Sequence, residues 1–277
     1  MWRMADWKMS VNQRADFIAQ CLDLGVSSFD HADIYGDYTV EALFGEVLAR
    51  EPGWRHRMEL VSKCGIKLIS KNRPAHRSHG YDTSRAHIIA SAEQSLRNLQ
   101  TDYLDLLLIH RPDPLMDFAE VAQAFTELQQ AGKVRHFGVS NFSTAQFNAL
   151  NQFFPLVTNQ IELSPLHLQP MFDGSLDAMQ AQGVSPMLWS ALAGGRLFGN
   201  EARPALRKVL GQLEGQYKMS EAGIVYAWLM QLPCKPLPLT GSSRIAAVAE
   251  AVQACHLQLP REQWFEVLQA ARGREVD

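Results

Sequence analysis

Residues 131–141 read AGKVRHFGVSN. Gly132 closes a helical stretch at the left-handed position that glycine tolerates best. The apolar run 136–139 then reads as a strand, and it ends on two polar residues, Ser140 and Asn141. Helix, turn and strand thus follow one another within a few residues, and the same succession recurs along the chain.

Short apolar runs of strand length lie at 26–29, 58–64, 104–109, 136–139, 158–161, 186–189 and 237–239. Between them, apolar residues at helical spacing predict helices over 12–24, 40–50, 84–99, 118–131, 144–153, 175–182, 221–231 and 245–255. Ser143 or Thr144 supplies a cap, and Gly25 ends a helix as Gly132 does. Seven β-then-α units without a break in composition predict one parallel sheet in a single domain spanning 1–277. Such a sheet is either open and doubly wound or closed as a (β/α)8 TIM barrel. Seven strands are legible rather than eight, and the first helix begins near Asn12 with no strand before it. If the sheet closes, its first strand is missing from this chain, which is then expected to be an N-terminally shortened form lacking roughly 15–25 residues at usual strand lengths.

The bulk composition narrows the function by exclusion. Of 277 residues, 47% are hydrophobic and 20% charged, enough apolar material for a large core. A net charge of -3 and a pI near 6.3 give no electrostatic case for nucleic acid or a membrane surface. Cys21, Cys64, Cys234 and Cys255 are scattered, without metal-like spacing, which predicts free thiols in a reducing cytoplasm. No apolar run approaches the roughly 20 residues of a membrane span, and the N-terminus lacks a signal peptide's apolar centre.

Polar and aromatic groups gather where the strands end. The stretch SSFDHADIYG, 27–36, runs from a strand into Asp30, His31, Asp33 and Tyr35. Other runs end at Lys63, at His110 and Arg111, at Ser140 and Asn141, at Asn159 and Gln160, at Trp189 and Ser190, and at 240–243. In a barrel these ends share one face, where the site is built. Tyr35 is a candidate proton donor, Lys63 an ammonium that lowers the pKa of its phenol, and Asp30 the group that holds Lys63. A neutral His110 is suited to hydrogen-bond and orient a carbonyl. Ser140, Asn141 and Gln160 are suited to grip a carboxamide, and Trp189 to stack on a ring. The set fits carbonyl reduction if a hydride source lies opposite.

These residues sit in motifs that resemble the aldo-keto reductase family across essentially the whole chain. FDHADIYG, LVSKCG, LDLLLIHRPDP, GKVRHFGVSNF, NQIELSP and LWSALAGGRL occur in the family's order. The resemblance implies a TIM barrel, NADPH rather than NADH, no metal, and reversible reduction of a small aldehyde or ketone. It implies Asp30, Tyr35, Lys63 and His110 as the catalytic set. Cofactor contacts are then expected at Ser140, Asn141, Gln160, Trp189, Ser190, Leu192, Gly194, Gly195, Arg196 and Leu197. Further along, LTGSSRIAAVAEA matches a small-residue turn at Gly241 and Ser242 and a glutamate at Glu250, while the family's arginine and asparagine fall on Ala247 and Ala251. Arg244, with Ser242, Ser243 and a helix N-terminus, is expected to take the 2′-phosphate instead.

Trp2, Trp7, Trp54 and Phe142 are candidates for the substrate pocket, with specificity expected in loops 66–82 and 192–204 and after Pro260. A cytoplasmic monomer is expected. His31 stands equally well as a rim residue, Asp33 as structural or solvated, and His56, His76 and His79 as surface histidines. Two other classes remain open. One is a metal-dependent hydrolase using His31, Asp33 and His110, although no H-x-H pair is present. The other is an NADPH-binding redox sensor with little turnover.

Overall fold

A parallel strand covered on both faces needs no polar alternation, and Glu59–Cys64 is buried at every residue after its first. The computed structural model describes residues 1–276, which form two compact units, Met1–Asn159 and Gln160–Asp277.

In the first unit the elements are α1 (Val11–Asp23), β1 (Ser28–Asp30), a single turn α2 (Tyr35–Tyr38), α3 (Val40–Arg50), β2 (Glu59–Cys64), β3 (Ile66–Lys67), β4 (Gly80–Tyr81), α4 (Arg85–Leu99), β5 (Leu104–Ile109), α5 (Phe118–Gln130), β6 (Val134–Ser140) and α6 (Thr144–Asn151). Strands β1, β2, β5 and β6 lie side by side in that order, all parallel, with Asp30 beside Val61 and Lys63 beside Leu108. β3 and β4 form a separate antiparallel hairpin. It falls inside the expected loop 66–82, and its two-residue strands are too short to leave a periodic signal. Ser10 and Ser143 close capping boxes at α1 and α6 with Gln13 and Gln146.

The second unit continues with β7 (Asn159–Glu162), which begins at the unit boundary, then α7 (Ser175–Ala181), β8 (Met187–Trp189), α8 (Pro204–Tyr217), α9 (Glu221–Met230), β9 (Leu237–Pro238), α10 (Ile245–Gln253) and α11 (Arg261–Arg272). β7, β8 and β9 pair in parallel, with Gln160 beside Met187 and Leu188 beside Pro238. Trp228 on α9 and Trp264 on α11 stack with centroids 5.2 Å apart, and each indole N–H donates to the other residue's carbonyl, at 3.0 and 2.9 Å. The segment after Pro260, expected as a specificity tail, is thus a helix locked into this core.

Two features anchor the first unit away from the strand C-termini. At the strand N-termini, Asp105 of β5 accepts from Arg55 at 2.7 Å, from Arg135 at 2.9 Å and from the Leu60 amide at 2.9 Å. The two guanidinium groups flank the Tyr103 ring at 3.7 and 3.9 Å. Trp54, in the 3-10 turn with Arg55, belongs to this end, so it does not line a pocket at the strand C-termini. Between α3 and α4 the backbones nearly touch at Gly45, where a Cβ would lie 2.0 Å from the Asn98 carbonyl oxygen. Beside it, Glu41 is buried and accepts from Ser62 at 2.7 Å and from the Asn98 amide at 3.1 Å.

That contact gives a stability prediction. Gly45→Ala must push α3 from α4, and overpacking of this kind destabilises by about 1–3 kcal/mol. Urea denaturation should show this loss, whereas Gly53→Ala, which meets nothing within 4 Å, should leave the midpoint nearly unchanged.

Candidate active site

Backbone ladders carry the first unit's functional side chains past the strand ends. The His31 amide bonds the Val61 carbonyl at 2.8 Å, Asp33 bonds that of Lys63 at 3.0 Å, and His110 bonds that of Cys64 at 2.8 Å. Asp30, Lys63 and His110 are therefore held in register before any side-chain contact forms. The chain then doubles back through Gly36 and Asp37, both left-handed at φ +57. A Cβ on Gly36 would also lie 2.7 Å from Val40. The turn before it, closed by the Tyr35 amide on the Ala32 carbonyl at 3.1 Å, brings Tyr35 to Lys63.

Lys63 is the centre of the group and is fully buried. Its ammonium lies 2.7 Å from each Asp30 carboxylate oxygen, 2.7 Å from the His31 carbonyl and 3.0 Å from the Tyr35 oxygen. An ammonium has three N–H donors, and these acceptors use all of them, one shared across the Asp30 carboxylate. Burial opposes the charge, but Asp30 and Tyr35 outweigh it and raise the Lys63 pKa. The Tyr35 oxygen accepts from Lys63, leaving its own hydrogen to donate outward. Burial raises the Tyr35 pKa despite the pull of Lys63. This corrects the expectation that Lys63 would leave the phenol more acidic: the downward pull is present, but desolvation is larger.

His110 stands edge-on to Tyr35 with centroids 5.9 Å apart. Burial, then Lys63 and Arg111, hold its pKa well below the usual histidine range, so the ring is neutral. Its buried Nδ1 has no hydrogen-bond partner. His31, fully buried and edge-on to Phe44 at 4.6 Å, has neither ring nitrogen bonded. It is a core residue, not a rim one. Asp33 is also buried, so the solvated alternative fails. Among the described residues no group of three or more His, Cys, Asp or Glu side chains is arranged to hold a metal.

Of the remaining expected contacts in the first unit, Ser140 is buried, and Asn141, left-handed at φ +59, donates to Ser140 Oγ at 2.8 Å. Phe142 was expected in a substrate pocket but is 3% exposed, its backbone clasped by Asn159, so it offers no free surface. Trp7 packs on Phe17 at 5.3 Å, whereas Trp2 is half exposed beneath Arg3.

In the second unit Gln160 is buried, while Trp189, Ser190 and Leu192 are half-buried. The loop after β8 is left-handed at Ser190, Ala193, Gly194 and Gly195, and a Cβ on either glycine would meet nothing. Arg196 is exposed and pairs with Glu201 at 3.0 Å. The Leu197 side chain is fully buried in the core. Gly241 is exposed, and Ser242 and Ser243 are half-buried. Arg244 caps the start of α10 with its amide 3.1 Å from Ser242 Oγ, is exposed, and forms no ion pair among the described residues. Glu250, expected near an adenine, accepts from Ser220 at 2.9 Å. Sequence reasoning missed the depth of His31 and Asp33, which depends on α3 packing above them rather than on any local motif.

The sequence matches the aldo/keto reductase family over residues 1–272. It is 52% identical to Oxidoreductase YdhF of Escherichia coli (strain K12), covering 99% of this chain and 93% of that protein. It is 48% identical to Uncharacterized oxidoreductase YcsN of Bacillus subtilis (strain 168), covering 100% and 94%. A crystal structure of an aldo/keto reductase from Klebsiella pneumoniae, in complex with NADP and acetate, superposes with a TM-score of 0.78 at 25% identity over 95% of this chain and 85% of that one. With the alternating parallel strands and helices, this likeness shows the α/β barrel class of fold.

The neutral histidines set a pH dependence. Unfolded histidine takes up a proton near pH 6.5, whereas folded His31 and His110 resist it because burial lowers their pKa. The unfolded state then binds more protons as pH falls, so this contribution to stability is present above about 6.5 and is lost below it. Denaturation midpoints measured from pH 7.5 to 5 should fall less steeply in His31→Gln and in His110→Gln than in the parent chain.

Proposed function

Because the chain belongs to the aldo/keto reductase family, we propose that it is an NADPH-dependent oxidoreductase that reduces an aldehyde or ketone to the alcohol, with Tyr35 as proton donor. The observation that carries this reading is the Tyr35 hydroxyl: its oxygen accepts from a buried ammonium while its own hydrogen is unused. Its raised pKa keeps it protonated at neutral pH.

The residues do the following work. Tyr35 gives its proton to the carbonyl oxygen, and the phenolate left behind lies 3.0 Å from the Lys63 ammonium, which stabilises the new charge. Asp30 holds Lys63 in place through both oxygens. His110, neutral on this account, directs a ring N–H at the same carbonyl oxygen and fixes its orientation without competing as an acid.

NADPH, when bound, supplies the hydride. The NADP in the Klebsiella structure supports a nicotinamide cofactor. In the first unit Ser140 and Asn141 are the candidates for the carboxamide; in the second, Gln160 is a candidate cofactor contact. Trp189 offers a ring face. The left-handed backbone from Ser190 to Gly195 leaves open space suited to a pyrophosphate. Arg244, exposed at a helix start and without a carboxylate partner among the described residues, is the candidate for the 2′-phosphate.

Two measurements test this. Tyr35→Phe should lower carbonyl reduction by about 100-fold or more while NADPH binding, followed by fluorescence, stays nearly constant. Normal turnover in that variant would overturn the assignment. Arg244→Ala should weaken NADPH by roughly 10- to 100-fold, the scale of one charge-assisted hydrogen bond, and leave NADH little changed. Equal weakening of both cofactors would reduce Arg244 to a stabiliser of α10.

A further inference from the structure

Carbonyl chemistry leaves a cleft beside α4 in the first unit unexplained. It has a volume of about 250 Å³ and lies between the loop joining β3 to β4 and α4. None of its lining residues belongs to the Asp30, Tyr35, Lys63 and His110 group. From α4 come His87, Ser91, Gln94 and Arg97, whose spacing puts them on one helix face. From the loop come Arg73 and His76.

The charge in this cleft is lopsided. Arg73 donates to the Asn72 carbonyl at 2.9 Å and lies 4.5 Å over the Tyr38 ring, and Arg97 donates to Gln94 at 3.0 Å. Neither arginine forms an ion pair among the described residues, although most other arginines of this unit do. His76 meets the Leu68 carbonyl at 3.1 Å, and His87 meets Ser91 at 3.3 Å. The carboxylate nearest His87, Asp82, is shared with Lys67 and Ser84. Asp33 also lines the cleft, with a buried Oδ1 that has no partner. Burial and then Glu41 push its pKa well above the usual carboxylate range, and Arg73 and Lys63 do not reverse this. That direction favours the neutral acid, which lessens the opposition of Asp33 to the arginines.

We propose that this cleft binds a small tetrahedral oxyanion of the phosphate class, free or as the phosphoryl group of a small molecule, between Arg73 and Arg97. Two guanidinium groups on separate walls suit a tetrahedral anion, which presents acceptors in several directions, better than a flat carboxylate, which one arginine fork can satisfy. Ser91 on α4 supplies a neutral donor to a remaining oxygen.

Calorimetric titration of the full chain with inorganic phosphate, at constant ionic strength, tests this. One saturable site is expected, weakened about tenfold or more in the R73Q/R97Q double variant, as the loss of charge-assisted bonds requires. Arg97 is exposed on a helix surface, so R97Q alone gives a reading even if the double variant melts lower, and it should weaken phosphate by at least about threefold. R244Q should leave this site intact. Loss of phosphate binding in R244Q instead of in the arginine pair would assign the ion to the cofactor region and overturn the proposal. So would an absence of saturation, or equal affinity in the parent and R73Q/R97Q. Glycerol 3-phosphate is the second probe. Tighter binding than inorganic phosphate identifies a phosphorylated small molecule as the ligand, and equal binding identifies the free ion; either upholds the site. No arm uses carbonyl turnover, so the result is independent of the Tyr35 chemistry.

Discussion

A fully buried ammonium governs the candidate site. Removing a charge of this size from water carries a penalty of several kcal/mol even after relaxation, and Lys63 offsets it only because three kinds of acceptor close around it. That demand reaches far along the chain. β1 must stop beside β2 so that Asp30 meets Lys63, the His31 carbonyl must turn inward, and the turn from Ala32 to Tyr35 must bring the phenol back. The neutral state of His110 follows in part from the same charge. Loss of any one acceptor leaves an unmet N–H in a dry interior, which is why the group behaves as a unit.

Environment also separates two acids three residues apart. Asp30 lies against the ammonium. Asp33 lies in the same segment, but burial and then Glu41 raise its pKa. One carboxyl thus pairs with an ammonium while burial disfavours the charge of the other, a difference that no feature of FDHADIYG encodes locally.

Much of this is legible in the sequence itself. α3 spans 40–50 as the spacing predicts, β5 spans 104–109, and the other strands, apart from the β3–β4 hairpin, fall within about two residues of their apolar runs. The group around Lys63 could be read because its members follow strand ends, and parallel pairing brings strand ends together. What escaped was weakly periodic or long-range. α8 carries Gly211 and Gly215, which dilute a helical pattern. α11 is half polar, and its place depends on the long-range Trp228–Trp264 stack. The sign of the Tyr35 shift needed burial as well as a neighbour, and burial is a property of the assembled unit. Phe142 and Trp54 were placed by residue type, whereas the backbone around them decides which way they face.

The clasp of Arg55, Tyr103, Arg135 and Asp105 ties β2, β5 and β6 at the ends where their chains enter the sheet. The group around Lys63 sits where those chains leave it. Rigidity and chemistry are therefore written into opposite termini of the same strands, with the strand length between them. A lineage carrying this architecture is free to lengthen, recolour or exchange its exit loops, and so to explore new substrates, while the entry-side knot keeps the scaffold intact through each trial.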